Sequence, residues 1–188
     1  MPQITKAMKK ILLLVVCFLL GNAASAQNVY ISKKTEISFF SEARLENIEA
    51  ISKKAVSAIN ISTKAIAFKI PIQSFIFNNG LMKEHFNENY MESDKFPEAS
   101  FNGKIIDNID LTKNGEYKIS ATGKLLMHGI AKDRIITGVI KVKDGEIELL
   151  STFLVPVSAH KIDIPNDKIS NISQNISVKI KALYEPKK

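Results

Sequence analysis

The chain has 188 residues, of which 45% are hydrophobic and 24% charged, with a single cysteine and a formal net charge of +7. That length suits one domain able to bury a core without disulfides, and one cysteine excludes a disulfide framework and a Cys-based metal site. Lysines and acids are mixed along the chain with no basic block, so nucleic-acid binding has no footprint beyond mild basicity.

The N-terminus reads as an address rather than as structure. Lys9-Lys10 precedes an apolar run over 11–20, and Ala23-Ala24-Ser25-Ala26 supplies a small-residue cleavage site, the pattern of a secretory signal peptide. The run is shorter than the roughly 20 residues of a membrane-spanning helix. We expect a signal peptide over 1–26, with Met8 as an alternative start, and one domain over 27–188, without a transmembrane span in the mature chain. Loss of Lys6, Lys9 and Lys10 with that segment lowers the net charge from +7 to +4. Cys17 lies within the apolar run, preceded by Val16 and followed by Phe18-Leu19-Leu20, which is not the setting of a lipidated cysteine.

The remainder is dominated by period-two alternation, the signature of half-buried strands. Ile37, Phe39, Ser41, Ala43 and Leu45 share one face of the first long run, and Ile66, Phe68 and Ile70 share another. Further on, Tyr117, Ile119, Ala121, Gly123, Leu125 and Met127 alternate with Lys118, Ser120, Thr122, Lys124, Leu126 and His128, and Ile147, Leu149, Ser151, Phe153 and Val155 form another face. The last run places Ile172, Gln174, Ile176, Val178, Ile180, Ala182 and Tyr184 together. This predicts roughly eight strands, over 29–33, 36–45, 54–61, 65–70, 100–106, 117–127, 134–143 and 146–154, and a final one over 172–185. Lys113-Asn114-Gly115 and Lys143-Asp144-Gly145 read as tight hairpin turns, and His128-Gly129 as the break between two long strands. So many antiparallel strands in one domain make a barrel or a sandwich, and strands of this length favour the barrel.

One helix is expected, over 80–90, where Met82, Phe86 and Tyr90 form an apolar ridge at i, i+4, i+8. A helix this short is not stable alone and must pack on the sheet or across a barrel end. Phe75, Phe77, Phe86, Tyr90, Phe96 and Phe101 are expected to gather around it.

Two segments carry a family resemblance. In the first, Ile72-Gln73-Ser74-Phe75 leads to Glu84-His85-Phe86, then Tyr90-Met91-Glu92-Ser93, then Phe96-Pro97 entering Ala99-Ser100-Phe101. In the second, a strand from Gly123 ends in His128-Gly129-Ile130-Ala131-Lys132. Their content and order resemble the YceI-like family of exported proteins. The chain departs from the family where a His-Ser pair would enter the first long strand (here Lys34-Thr35-Glu36-Ile37-Ser38), and in Glu84, where an Asp is usual. The resemblance implies an all-β fold, an extended lipocalin-like eight-stranded antiparallel β-barrel with one short helix near one end. It also implies an apolar tunnel for a long amphiphile such as a polyisoprenoid, and a periplasmic or extracellular location.

Inward faces of Ile, Phe, Val and Leu interspersed with small residues (Ala43, Ala121, Gly123, Ala182) suit an apolar chain. The candidate ligand-binding residues are Phe39, Ile66, Phe68, Ile119, Leu125, Phe153, Ile176 and Val178 from the strands, with His85 and Phe86 from the helix. Face assignment is the sensitive step, because a one-residue slip reverses it. His85 reads either as a head-group contact at the tunnel mouth or as a helix residue bonded to a nearby loop. His128 reads as a turn-stabilising residue and His160 as solvated. Glu84, Glu88 and Glu92, spaced four apart, read as a solvated helix face rather than as acid–base machinery. There is no G-x-S-x-G elbow and no paired histidine spacing, so no catalytic residue, metal or cofactor is implied. The expected function is binding of a lipid-like or isoprenoid amphiphile. The alternatives are a ligand-free structural or interaction barrel and a hydrolase or isomerase with an unrecognised site. A homodimer is left open.

Overall fold

The computed structural model describes residues 28–42, 47–165 and 172–187. The predicted signal peptide, Cys17, Ala43 and Leu45 lie outside the described residues. Ten strands form one antiparallel sheet: β1 (Val29–Ser41), β2 (Ile48–Ser52), β3 (Val56–Asn60), β4 (Ala65–Pro71), β5 (Ile76–Phe77), β6 (Glu98–Ile105), β7 (Gly115–Met127), β8 (Ile130–Lys143), β9 (Glu146–Pro156) and β10 (Asn175–Pro186). The sheet closes because β1 pairs with β10 along one edge, from Tyr30↔Pro186 to Phe40↔Ser177. On its other edge β1 meets β3 at its start and β2 at its end. β2 and β3 thus share one position of the wall, as do β4 and β5, and the result is a closed eight-stranded barrel. This is the fold class expected from the sequence.

Inward positions are mostly apolar, as the alternation predicts, although Thr35, Ser41, Ser52, Ser57 and Ser151 are buried and Ile31, Phe40, Val56, Leu126, Ile135 and Leu154 are exposed. The expected break at Lys33–Lys34 is instead a β-bulge within one strand, where the register against β10 shifts between Ser32 and Lys34. Without it, the alternation that turns Tyr30 and Ser32 inward would bury Lys34. The extra residue leaves both lysines exposed and turns Thr35 and Ile37 inward. β2 was not expected, because of its inward residues Ile48, Ala50 and Ser52 only Ile48 is large and apolar, too little to produce a hydrophobic alternation. The predicted strand over 54–61 is the shorter β3.

Two of the three expected turns are tight. Met127 pairs with Ile130 across His128 (φ 50°) and Gly129 (φ 71°), and Lys143 pairs with Glu146 across Asp144 (φ 51°) and Gly145 (φ 84°). Positive φ at both central residues is the primed geometry that matches strand twist. The third, at 113–115, is the end of a longer loop between β6 and β7. There Asn114 accepts a 3.0 Å bond from the Asp144 N–H and so ties the two loops.

At the middle of the β6–β7 ladder Gly103 lies directly opposite Gly123. A β-carbon on Gly123 would lie 2.5 Å from Gly103 Cα and against the Asn102 carbonyl oxygen, and the Phe101 ring covers Gly103. Both obstacles at Gly123 are backbone and cannot rotate away. Gly123→Val should therefore cost more than about 2 kcal/mol, read by urea unfolding; a cost near zero would mean the ladder can part there.

The core has two regions. At the end carrying the 143–146 hairpin and both barrel termini, Ile59, Ile105, Leu111, Ile140, Ile147 and Tyr184 pack with almost no exposure. At the opposite end stand the helix, the His128–Gly129 turn and the segment after β9. No helix among the described residues is long and apolar enough to cross a membrane.

Candidate functional site: an apolar cavity under the helix

The half of the barrel beneath the helix is hollow. A cavity of about 470 Å³ is enclosed by inward residues of the wall, with Ile37, Ile66, Ile119, Leu149 and Ile180 toward the packed half. It does not reach the other end, because the packed residues named above are not on its lining. It is therefore a blind pocket rather than a tunnel through the barrel.

Its roof is built from two segments. Helix α1 (Gly80–His85) starts at Asn79, whose side-chain oxygen accepts bonds from the Leu81 (2.9 Å) and Met82 (3.3 Å) amides. This cap satisfies two of the amides that a helix start leaves free. The helix continues as a single π-turn over Phe86–Tyr90, closed by the Met91 amide donating to the Phe86 carbonyl at 2.8 Å. The wider turn keeps the expected ridge: Met82, Phe86 and Tyr90 all face the cavity, while Leu81 is exposed. The second roof segment follows β9, where Val157, Ile162 and Ile164 are buried against the cavity.

Four phenylalanines seat the helix. Phe86 stacks on Phe39 of β1 at 5.3 Å between centroids, and meets Phe75 at 5.7 Å and Phe77 at 5.1 Å. Such contacts add about 0.5–1.5 kcal/mol per pair beyond area burial. Phe96, expected in this group, instead packs edge-on against His128 at 4.6 Å. Phe101 lies on β6, directly opposite Phe68 of β4.

All ten residues singled out from the sequence, Phe39, Ile66, Phe68, His85, Phe86, Ile119, Leu125, Phe153, Ile176 and Val178, line this cavity. His85 is exposed at the rim of the cavity. The few polar groups inside are already engaged. Ser151 Oγ donates to the Thr137 carbonyl at 2.6 Å, and Ser41 Oγ accepts from the Ser173 amide at 2.8 Å. Sequence reasoning missed the second roof segment, because Ile162 and Ile164 sit in a stretch without regular structure. It also missed Ala99 as lining, although it alternates with Phe101 on β6 and could have been found that way.

The other two histidines are brought together, against expectation for His160. Its side chain is only 1% exposed, and Nδ1 donates to the Ile130 carbonyl at 3.1 Å. His128 donates from Nδ1 to the His160 carbonyl (3.1 Å), and its Nε2 lies 2.9 Å from Glu92 Oε2. Glu92 is not on the helix stripe with Glu84 and Glu88. It lies beyond the helix in a left-handed conformation (φ 42°) and pairs with both His128 and Lys95. Hydrogen bonds from Lys95 and then His128 hold its carboxyl below the ordinary glutamate value. These contacts pin the loop after the helix, the β7–β8 turn and the segment after β9 to one another. Both histidines thereby help to hold the rim. Among the described residues no group of three His, Cys, Asp or Glu side chains could hold a metal ion.

Burial lowers the His160 pKa below its ordinary 6.5, an effect that its backbone hydrogen bonds only partly oppose and that nearby Arg134 and Lys132 reinforce. The unfolded chain then binds a proton that the folded one refuses, so stability is full above pH 6.5 and falls as pH drops below it. Glu92 acts in the same direction lower down, from about its ordinary 4.5. The melting temperature should decline between pH 7.5 and 5, and His160→Gln, which keeps a donor for Ile130, should flatten that decline. An equal slope in both proteins would remove His160 as the cause.

The profile of the YceI-like domain matches residues 28–183. The chain belongs to the YceI-like family. Solved structures agree in fold. A polyisoprenoid-binding domain from Saccharophagus degradans, implicated in plant cell wall breakdown, superposes with a TM-score of 0.71 at 11% identity, covering 84% of this chain and 98% of that one. BcnA of Burkholderia cenocepacia gives 0.69 at 15% identity over 79% and 95%. The Campylobacter jejuni YceI protein gives 0.57 at 20% identity over 76% and 88%. No curated protein sequence matches this one.

Proposed function

We propose that this member of the YceI-like family is an exported, non-catalytic binding protein that holds the apolar chain of a lipid-like or polyisoprenoid amphiphile in its barrel. The carrying observation is the blind, apolar cavity of about 470 Å³ beneath the helix. Its volume is typical of small-molecule sites, and the few polar groups inside leave little to hold a polar ligand. Burying about ten carbons at about 0.8 kcal/mol each yields about 8 kcal/mol to set against the cost of immobilising the chain. The head group would remain at the rim beside exposed His85. The Saccharophagus degradans domain, described as polyisoprenoid-binding, shares the fold and supports this class of ligand. The predicted signal peptide supports a periplasmic or released protein engaged in transport, storage or protection of envelope lipids.

Native mass spectrometry of the protein purified from its own cell envelope tests this reading. An adduct of defined mass, released as an intact lipid by organic extraction, is the expected result. A consistently empty protein would point instead to a barrel that acts without a ligand.

A further inference from the structure

The barrel wall is not bonded all the way round. β8 pairs with β7 along its length, from Gly115↔Val142 to Met127↔Ile130, and β9 pairs with β10 from Ile147↔Tyr184 to Asn175↔Pro156. Between them, however, β8 and β9 pair only from Lys143↔Glu146 up to Val139↔Leu150. Above that point the two strands part, and residues 130–138 face residues 151–156 without a backbone ladder. Among the described residues two side-chain hydrogen bonds cross the seam: Ser151 Oγ to the Thr137 carbonyl, and the Arg134 guanidinium to the Leu154 carbonyl. Its upper limit is His160, bonded to the Ile130 carbonyl.

This seam opens onto the cavity. Ile136, Thr137 and Gly138 on one side and Ser151, Phe153 and Val155 on the other all belong to the cavity lining. Outside, each flank carries a large apolar side chain, Ile135 at 68% and Leu154 at 55% exposure. A backbone edge left unpaired in the middle of a closed barrel is costly to maintain, and here it lies beside an apolar cavity that is closed at its far end.

We propose that the β8–β9 seam is a lateral portal, through which the apolar chain of the ligand slides sideways into the cavity, with Arg134 as the bolt that closes it. The proposal rests on the cavity being the ligand site. It gives a chain too long for the cavity a second exit, and lets the chain load without withdrawal of the helix.

The test uses the full chain with Cys17→Ser, since that is its single cysteine. Ile135→Cys and Leu154→Cys are joined across the seam by a short bifunctional maleimide containing a reducible bond. A control joins Thr122→Cys and Ile135→Cys, which lie directly opposite each other on the intact β7–β8 ladder. Transfer of dansyl-labelled farnesol from protein to phosphatidylcholine vesicles is followed by stopped flow. The seam cross-link is expected to slow release by about tenfold or more, as gating steps do, with reduction restoring the rate and the control cross-link leaving it unchanged. Unchanged release from a protein that binds the probe would overturn the portal alone, leaving entry at the helix end. Failure of the uncross-linked protein to bind the probe would overturn the cavity reading and the portal together.

Discussion

Ala121→Phe is expected to abolish ligand retention while leaving the barrel folded. Ala121 is 4% exposed on the inner face of β7, opposite Ile105 of β6 and Ile136 of β8, and lies on the cavity lining. A benzyl group there projects into space that a ligand would occupy. Overpacking a filled core costs about 1–3 kcal/mol, but empty volume itself costs about 24 cal/mol per Å³. Filling part of a 470 Å³ cavity should offset much of the strain. The expected result is loss of the co-purified lipid by native mass spectrometry, with a melting temperature within a few degrees of the parent. Full occupancy in a folded Ala121→Phe protein would place the ligand elsewhere.

The opposite end should show the reverse behaviour. Tyr184 is fully buried, and burial holds its hydroxyl protonated far above the ordinary tyrosine range, with the Ser57 bond only partly opposing this. Ser57 Oγ donates to the Ala67 carbonyl at 2.8 Å, so the 2.6 Å bond between the two hydroxyls is donated by Tyr184. Tyr184→Ala removes a ring from the packed half and should cost about 3–5 kcal/mol. That is a large part of the 5–15 kcal/mol that holds a domain together. Tyr184→Phe keeps the ring and leaves Ser57 its bond to Ala67, so about 1 kcal/mol is expected. Urea unfolding reads both. Tyr184→Phe should also bind ligand as the parent does, because Tyr184 is not on the cavity lining. A loss below about 1 kcal/mol in Tyr184→Ala would contradict a packed lower core.

These two expectations reflect a division of labour along the barrel axis. Stability resides in the half where Ile59, Ile140, Ile147 and Tyr184 interdigitate. The proposed binding falls in the half where small residues and a separately built roof leave volume. The rim is held by polar contacts among Glu92, His128 and His160, and the wall beside it by two side-chain bonds. Elements with few backbone bonds are the ones free to move.

Much of the inner wall was legible in the sequence because its signal is local. Alternation along one strand decides which residues share a face, and with an antiparallel barrel assumed that face is the interior. This is why Phe39, Ile119 and Val178, from strands far apart in the chain, could be named together. The helix ridge of Met82, Phe86 and Tyr90 was legible for the same reason, at a different period. What escaped is what depends on a partner. The bulge at Lys33 exists because β10 fixes the register of β1 on either side of it. His160 is buried because Ile130 and His128 come to it from a hairpin some thirty residues earlier.

The sequence by itself determined an antiparallel β architecture of barrel or sandwich type, the inward faces and the helix that must cover them, since burial of apolar side chains at a fixed period leaves few other arrangements. Only the tertiary structure decided that the cavity is blind, that its roof has two parts and that the wall parts between β8 and β9. Volume and closure are sums over many non-local contacts, and no stretch of chain records them.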